Sequence, residues 1–160
     1  MTVQISTSDI RGLSTPVVEF LLAGESDFLA ALRLQFAHAK ITKITEDGYG
    51  FYIDYETDSA LRILNPKLQN KMISGVAGVS DHGECICTFT LFLDEGLVFS
   101  LEGCPFIRDA WTNEVVTLKY INTDIDGNEY FASARNQRAL KKYVFPEKIE
   151  VGYRDIPGRS

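Results

Sequence analysis

The ten residues CICTFTLFLD, from Cys85 to Asp94, alternate in character one by one, a period of two that fits a β-strand with two unlike faces. Cys85, Cys87, Phe89, Leu91 and Leu93 share one face, and Ile86, Thr88, Thr90 and Phe92 share the other. After the turn DEG, the run LVFSLEG repeats the arrangement, which sets Leu97, Phe99 and Leu101 on the oily side and Val98, Ser100 and Glu102 on the mixed side. The reading therefore expects Phe89, Leu91, Leu93, Phe99 and Leu101 to be buried together, and an oily sheet face of this size requires a cover.

The N-terminal part supplies that cover. Thr15 before Pro16 reads as a helix start, because proline at the first helical position gives up an N–H that has no partner there. Val17, Val18, Phe20, Leu21 and Leu22 follow, and Gly24 is the expected stop. Ser26 caps a second helix whose apolar stripe is Phe28, Leu29, Leu32, Phe36 and Ala39. From Ile41 the period changes: ITKITE, the turn DGYG and FYIDYE predict a hairpin, with Phe51, Ile53 and Tyr55 facing one way and Tyr52, Asp54 and Glu56 the other. Residues 57–70 read as a loop, and a further strand is expected over 71–79. The loop 104–114 carries Pro105 and Trp111, VVTLKYI and EYFASA form another hairpin, and a short basic helix follows near 135–143. With no internal repeat and no low-complexity linker, residues 1–160 read as a single domain. The expected fold is α+β: an N-terminal helix pair packed on one face of an antiparallel sheet of about five to seven strands, with a short C-terminal helix.

The first residues, MTVQISTSDIRG, have neither a basic start nor an apolar core, and no run is long enough to span a membrane, so the expectation is a cytoplasmic protein without a membrane partner. Three cysteines cannot all pair within one chain, which favours reduced thiols. The net charge of −6 divides unevenly. Residues 1–131 hold nine Lys/Arg against nineteen Asp/Glu, a balance of −10, and residues 132–160 hold seven against three, a balance of +4. An acidic body repels nucleic acid and attracts a basic protein.

Three constellations point to chemistry, and each has a simpler explanation. His82, Cys85, Cys87 and Cys104 have the residue types of a zinc site, but two of the cysteines continue an apolar strand face and no C-x-x-C knuckle is present, so small buried thiols are expected and no metal. NTDIDG at 122–127 begins like a calcium loop, yet its first position is Asn122 and its twelfth is Ser133 where a bidentate glutamate is needed; a turn at Asp126-Gly127 explains the same residues. His38 and His82 accompany no nucleophile elbow, and there is neither a P-loop nor a dinucleotide fingerprint, so the chain reads as a non-enzyme without a cofactor.

What remains is the mixed sheet face. Tyr52, Asp54, Glu56, Phe92 and Glu102, with Trp111 from the nearby loop, combine aromatic anchors and carboxylates suited to holding a basic protein. The LLAG helix break at 21–24, the GYGF strand entry at 48–51 and the LEG at 101–103 resemble a group of small bacterial α+β proteins. The likeness covers roughly residues 15–114. In that group LEG leads into an aromatic, acidic stretch ending in Trp-Pro, whereas here Cys104, Pro105 and Phe106 follow and Trp111 lacks the proline. The chain is also similar in character to immunity proteins, small acidic domains that neutralise a cognate toxin. This resemblance implies a binding module, with a basic toxin as partner and no catalytic residue. The alternative is a small-ligand-binding or enzymatic domain with its pocket between helix pair and sheet.

Overall fold

Eight strands form one sheet in the computed structural model, which describes residues 2–106 and 115–144. They are β1 (Gln4–Ser6), β2 (Lys40–Glu46), β3 (Phe51–Glu56), β4 (Met72–Val79), β5 (Cys85–Asp94), β6 (Leu97–Pro105), β7 (Val115–Thr123) and β8 (Glu129–Ala132). The order across the sheet is β1-β7-β4-β5-β6-β3-β2, and every pairing is antiparallel. β1 and β8 both lie on the edge of β7 away from β4, one pairing near Val116 and the other near Ile121. Four register shifts interrupt the ladders, and such bulges raise the local twist and curl the sheet. The short β1 brings the strand count above the expected five to seven, because three residues with a single apolar side chain, Ile5, carry too little alternation to be read as a strand.

Among the described residues three α-helices join the sheet: α1 (Ile10–Leu21), α2 (Asp27–Ala37) and α3 (Gln137–Tyr143). Among the described residues, no helix is long and apolar enough to cross a membrane. α1 starts well before Pro16, which lies inside it. Asp9 is the cap instead, its carboxylate accepting from the Gly12 N–H at 3.0 Å. The donor that proline lacks would have met the Gly12 carbonyl one turn earlier, and Gly12 is exposed, so water can serve that group. Leu13, Ser14, Val17, Val18 and Leu21 are buried along α1. Ser14 hydrogen-bonds Tyr55 of β3 at 2.5 Å, and Phe20 stacks on Tyr120 of β7 with ring centroids 4.1 Å apart.

Ser26 caps α2 as its sequence implies, accepting from the Leu29 N–H at 3.0 Å. Phe28, Leu29 and Leu32 are buried; Phe36 and Ala39 are only half-buried, and the fourth buried position on α2 is the polar Gln35. At the other end of the chain, Asn136 caps α3, which packs on β7 and β4. Arg135 fastens the approach to α3 by donating to the Leu21 and Ala23 carbonyls at the end of α1, at 2.8 and 2.7 Å, while its guanidinium lies 4.9 Å from the Tyr120 ring centre. Burial of that guanidinium holds its pKa below the usual arginine value.

The oily face follows the period of two, with two corrections. The first is at the start of β5, where Ile86 is buried and Cys85 only half-buried, because Ile86 is the extra residue between the Val79–Cys85 and Gly78–Cys87 pairs. Phe51, Ile53, Phe89, Leu91, Leu93 and Leu101 are buried, but Phe99 is 47% exposed and Val98 takes its place in the core. The ladder shows why: Phe92 pairs with Ser100 and Leu93 with Val98, so Phe99 is the extra residue of a bulge. One inserted residue reverses the facing of the strand beyond it, which is how Val98 and Leu101 can both point into the core.

Candidate functional site

Strand register builds the mixed face in rows. One row runs Thr45, Tyr52, Glu102, Thr90, and the next runs Lys43, Asp54, Ser100, Phe92, Met72. A third pairs Lys40 with Glu56. The face thus unites Tyr52, Asp54, Glu56, Phe92 and Glu102; Trp111 lies outside the described residues. Two carboxylates are held by hydroxyls of the neighbouring strand. Tyr52 Oη donates to Glu102 Oε2 at 2.5 Å, and Ser100 Oγ donates to Asp54 Oδ1 at 2.8 Å. The Glu102 hydrogen bond and negative charge push the Tyr52 phenol up to about 12, so it remains a donor throughout the neutral range. Tyr52 is 39% exposed and Phe92 half-buried, and the bulge adds Phe99, which the sequence assigned to the core.

The register also shows what the sequence could not. Lys40 lies directly across from Glu56, and Lys43 from Asp54, so two of the three acidic groups on this face have a lysine as cross-strand neighbour. The run ITKITE placed Lys43 on the strand and left Lys40 just before it, but a bulge between Ile41 and Lys43 decides which acid Lys43 meets.

The three thiols are unbridged and differ in access. Cys104 is exposed, Cys85 is half-buried and Cys87 is buried, with burial pushing the Cys87 thiol up to about 12. Reaction with a thiol-exchange reagent at pH 8 in the native state will therefore modify Cys104 rapidly and Cys87 only on unfolding. Two thiols released at the fast rate, with Cys87 among them by peptide mapping, would contradict this placement.

Among the described residues, no group of three or more His, Cys, Asp or Glu side chains is arranged to hold a metal ion. Asp124 serves its own turn: its carboxylate accepts from the Asp126 and Asn128 N–H groups, each at 2.9 Å, and Gly127 supplies the positive φ of 86°. Those N–H groups hold the Asp124 carboxyl below its ordinary value, that of Asn128 contributing most. A groove of about 460 Å³ lies between α1 and α2, lined by Leu22, Phe36, Glu19 and Arg33 among others. It sits between the two helices, and its cation is already engaged, since Arg33 donates to the Leu22 and Gly24 carbonyls at 2.5 and 2.9 Å.

Fold and site together define an α+β protein whose most distinctive surface is a sheet face set with aromatics and hydroxyl-braced carboxylates. Set against known proteins, the chain matches no family model, no curated protein and no solved structure.

Proposed function

We propose that this protein is a binding module for a basic protein, acting as an immunity protein does by covering the working surface of a cognate toxin. In this reading the N-terminal helix pair covers the oily face of the sheet, and the mixed face is left to the partner. The observation that carries it is the combination of Tyr52, Phe92 and Phe99 with carboxylates already braced on that face. Braced side chains lose little freedom on binding, and aromatic rings supply contact area at low entropic cost. The reading of a small-ligand or enzymatic domain finds less support, because the groove between α1 and α2 offers an arginine committed to backbone carbonyls and a largely apolar lining.

The test begins with retention of a basic protein by the immobilised chain and loss of that protein's toxicity or activity when the two are mixed. Kinetics with the purified partner at two salt concentrations then locate the face. Glu102→Lys will slow association, more at low salt than at high, because steering charges are screened over about 10 Å at 0.1 M. Tyr52→Ala and Phe92→Ala will act on dissociation. A partner whose kinetics ignore all three substitutions, with the fold intact, removes this face from consideration.

A further inference from the structure

The cross-strand lysines bear on where a basic partner is attracted. Glu56 and Asp54 face Lys40 and Lys43, so that half of the mixed face offers little net charge. Glu102 pairs across the ladders with Tyr52 and Thr90 and has no such neighbour. It lies toward one end of the sheet, where three segments meet: the turn 46–50, the turn 80–84 and the end of β6 at 102–106. Their adjacency follows from the ladders, since Phe51 pairs with Gly103, Cys87 with Pro105, and the Phe106 N–H reaches the Ile86 carbonyl at 2.8 Å. The strand spacing of about 4.8 Å makes this end roughly 15 Å across from β3 to β4.

These segments contain Glu46, Asp47, Asp81, Glu84 and Glu102 and no lysine or arginine. Among the acids stand two aromatics, Tyr49 at 76% and Phe106 at 67% exposure. Both turns are internally braced. Asp47 Oδ1 accepts from the Tyr49 and Gly50 N–H groups at 3.0 and 2.9 Å, and the Ser80 N–H donates to the Glu84 carbonyl at 2.8 Å. Tyr49 therefore stands on a braced turn, and the Phe106 backbone is tied to β5 through Ile86.

We infer that this turn end of the sheet is the docking surface for an arginine-rich segment of the protein partner, with Tyr49 and Phe106 as stacking platforms and Glu102, Asp47 and Glu84 as the attracting charges. The inference rests on the basic-partner reading above and deepens it. Arginine is favoured over lysine because its planar cation both pairs with carboxylates and stacks on aromatic rings, whereas an ammonium group is a strongly hydrated point charge.

The experiment is an NMR titration of the full chain with octa-arginine and, separately, octa-lysine peptides at low and physiological salt. Octa-arginine will bind more tightly, with amide shifts concentrated in 46–50, 80–84 and 102–106. The double variant Asp47→Lys/Glu84→Lys will weaken it about tenfold at low salt, while Asp54→Lys/Glu56→Lys will change it by less than about twofold. Tyr49→Ala and Phe106→Ala will each weaken octa-arginine by about threefold and leave octa-lysine nearly unchanged. Equal affinity for the two peptides overturns the stacking role. Shifts centred on residues 54–56 or on any other part of the chain overturn the location while leaving the basic-partner reading in place. Absence of binding by either peptide overturns both.

Discussion

Truncating Phe89 to alanine will lower the folding free energy by about 3–5 kcal/mol, whereas the same truncation at Phe99 will cost about 1 kcal/mol or less. The two residues have the same side chain, and both fall on the oily side by simple alternation. Their surroundings differ completely. Phe89 is 1% exposed, lies against Phe51 with ring centroids 6.4 Å apart, and sits on the central strand β5 between β4 and β6. Removing its ring leaves a cavity that Phe51, Val76 and their neighbours cannot fill without leaving their rotamers, so a cavity cost adds to the lost transfer energy. Phe99 projects from the bulge, and its loss removes partly exposed surface only. Denaturant midpoints measured for both variants, at equal slope, decide the matter. Similar losses for the two would mean that β6 runs without its bulge and that Phe99, not Val98, faces the core. Whichever partner is found, Phe99→Ala then becomes a binding variant whose effect is separable from stability.

Which features were legible in the sequence, and which were not, follows from the range of the forces that set them. The alternation from Cys87 to Leu93, the Ser26 cap and the Asp126-Gly127 turn are local: each is decided by residues within a few positions of one another, and each is present in the structure. The Phe99 bulge is decided by which residue of β5 meets which residue of β6, and the facing of Lys40 and Lys43 by the pairing of β2 with β3. Neither is written in a strand taken by itself. Pro16 misled for a related reason. Proline favours the first turn of a helix, but Asp9 had already supplied a cap, and the buried row from Leu13 to Leu21 outweighed one missing hydrogen bond. For the face, parity brought Tyr52, Asp54, Glu56, Phe92 and Glu102 together, because residues two apart along a strand share a side, as do residues directly opposite on its neighbour. It could not weigh their charges against the lysines opposite, and it passed over Tyr49 and Phe106, which belong to a turn and a strand end where alternation has no meaning.

Gln35 is the position where a polar residue contributes most to stability, and Gln35→Leu will destabilise the fold by roughly 2–5 kcal/mol despite a nearly unchanged volume. Its position on α2, one short of Phe36, gave no hint of this role, since glutamine at that spacing reads as a solvent-facing residue. In the structure it is fully buried and every polar group of its side chain is used. Nε2 donates to the Leu61 carbonyl at 2.9 Å and the Gly96 carbonyl at 2.8 Å, and Oε1 accepts from the Val98 N–H at 2.8 Å. One amide thus joins α2 to the loop after β3 and to the turn that leads into β6. Leucine leaves the Leu61 carbonyl and the Val98 N–H without that bond, while the Gly96 carbonyl keeps the Ile63 N–H at 2.9 Å. The buried Val98 N–H and the part-buried Leu61 carbonyl, at up to about 1–3 kcal/mol each, set the expected loss. Gln35→Glu separates this account from a packing defect. Its carboxylate would face two carbonyl oxygens in a buried site, so the folded pKa is raised above the unfolded value of about 4.3. A raised folded pKa means that the native state binds the proton more tightly, so stability is retained below the unfolded pKa and lost as pH rises from there through the folded pKa. Unfolding curves of the two variants between pH 4 and pH 8 will therefore diverge from each other, the glutamate variant weakening as pH rises and the leucine variant following the wild type. A glutamate variant with the pH dependence of the wild type would show that this side chain has turned out to solvent and that the 61 and 96–98 segments are held by other contacts.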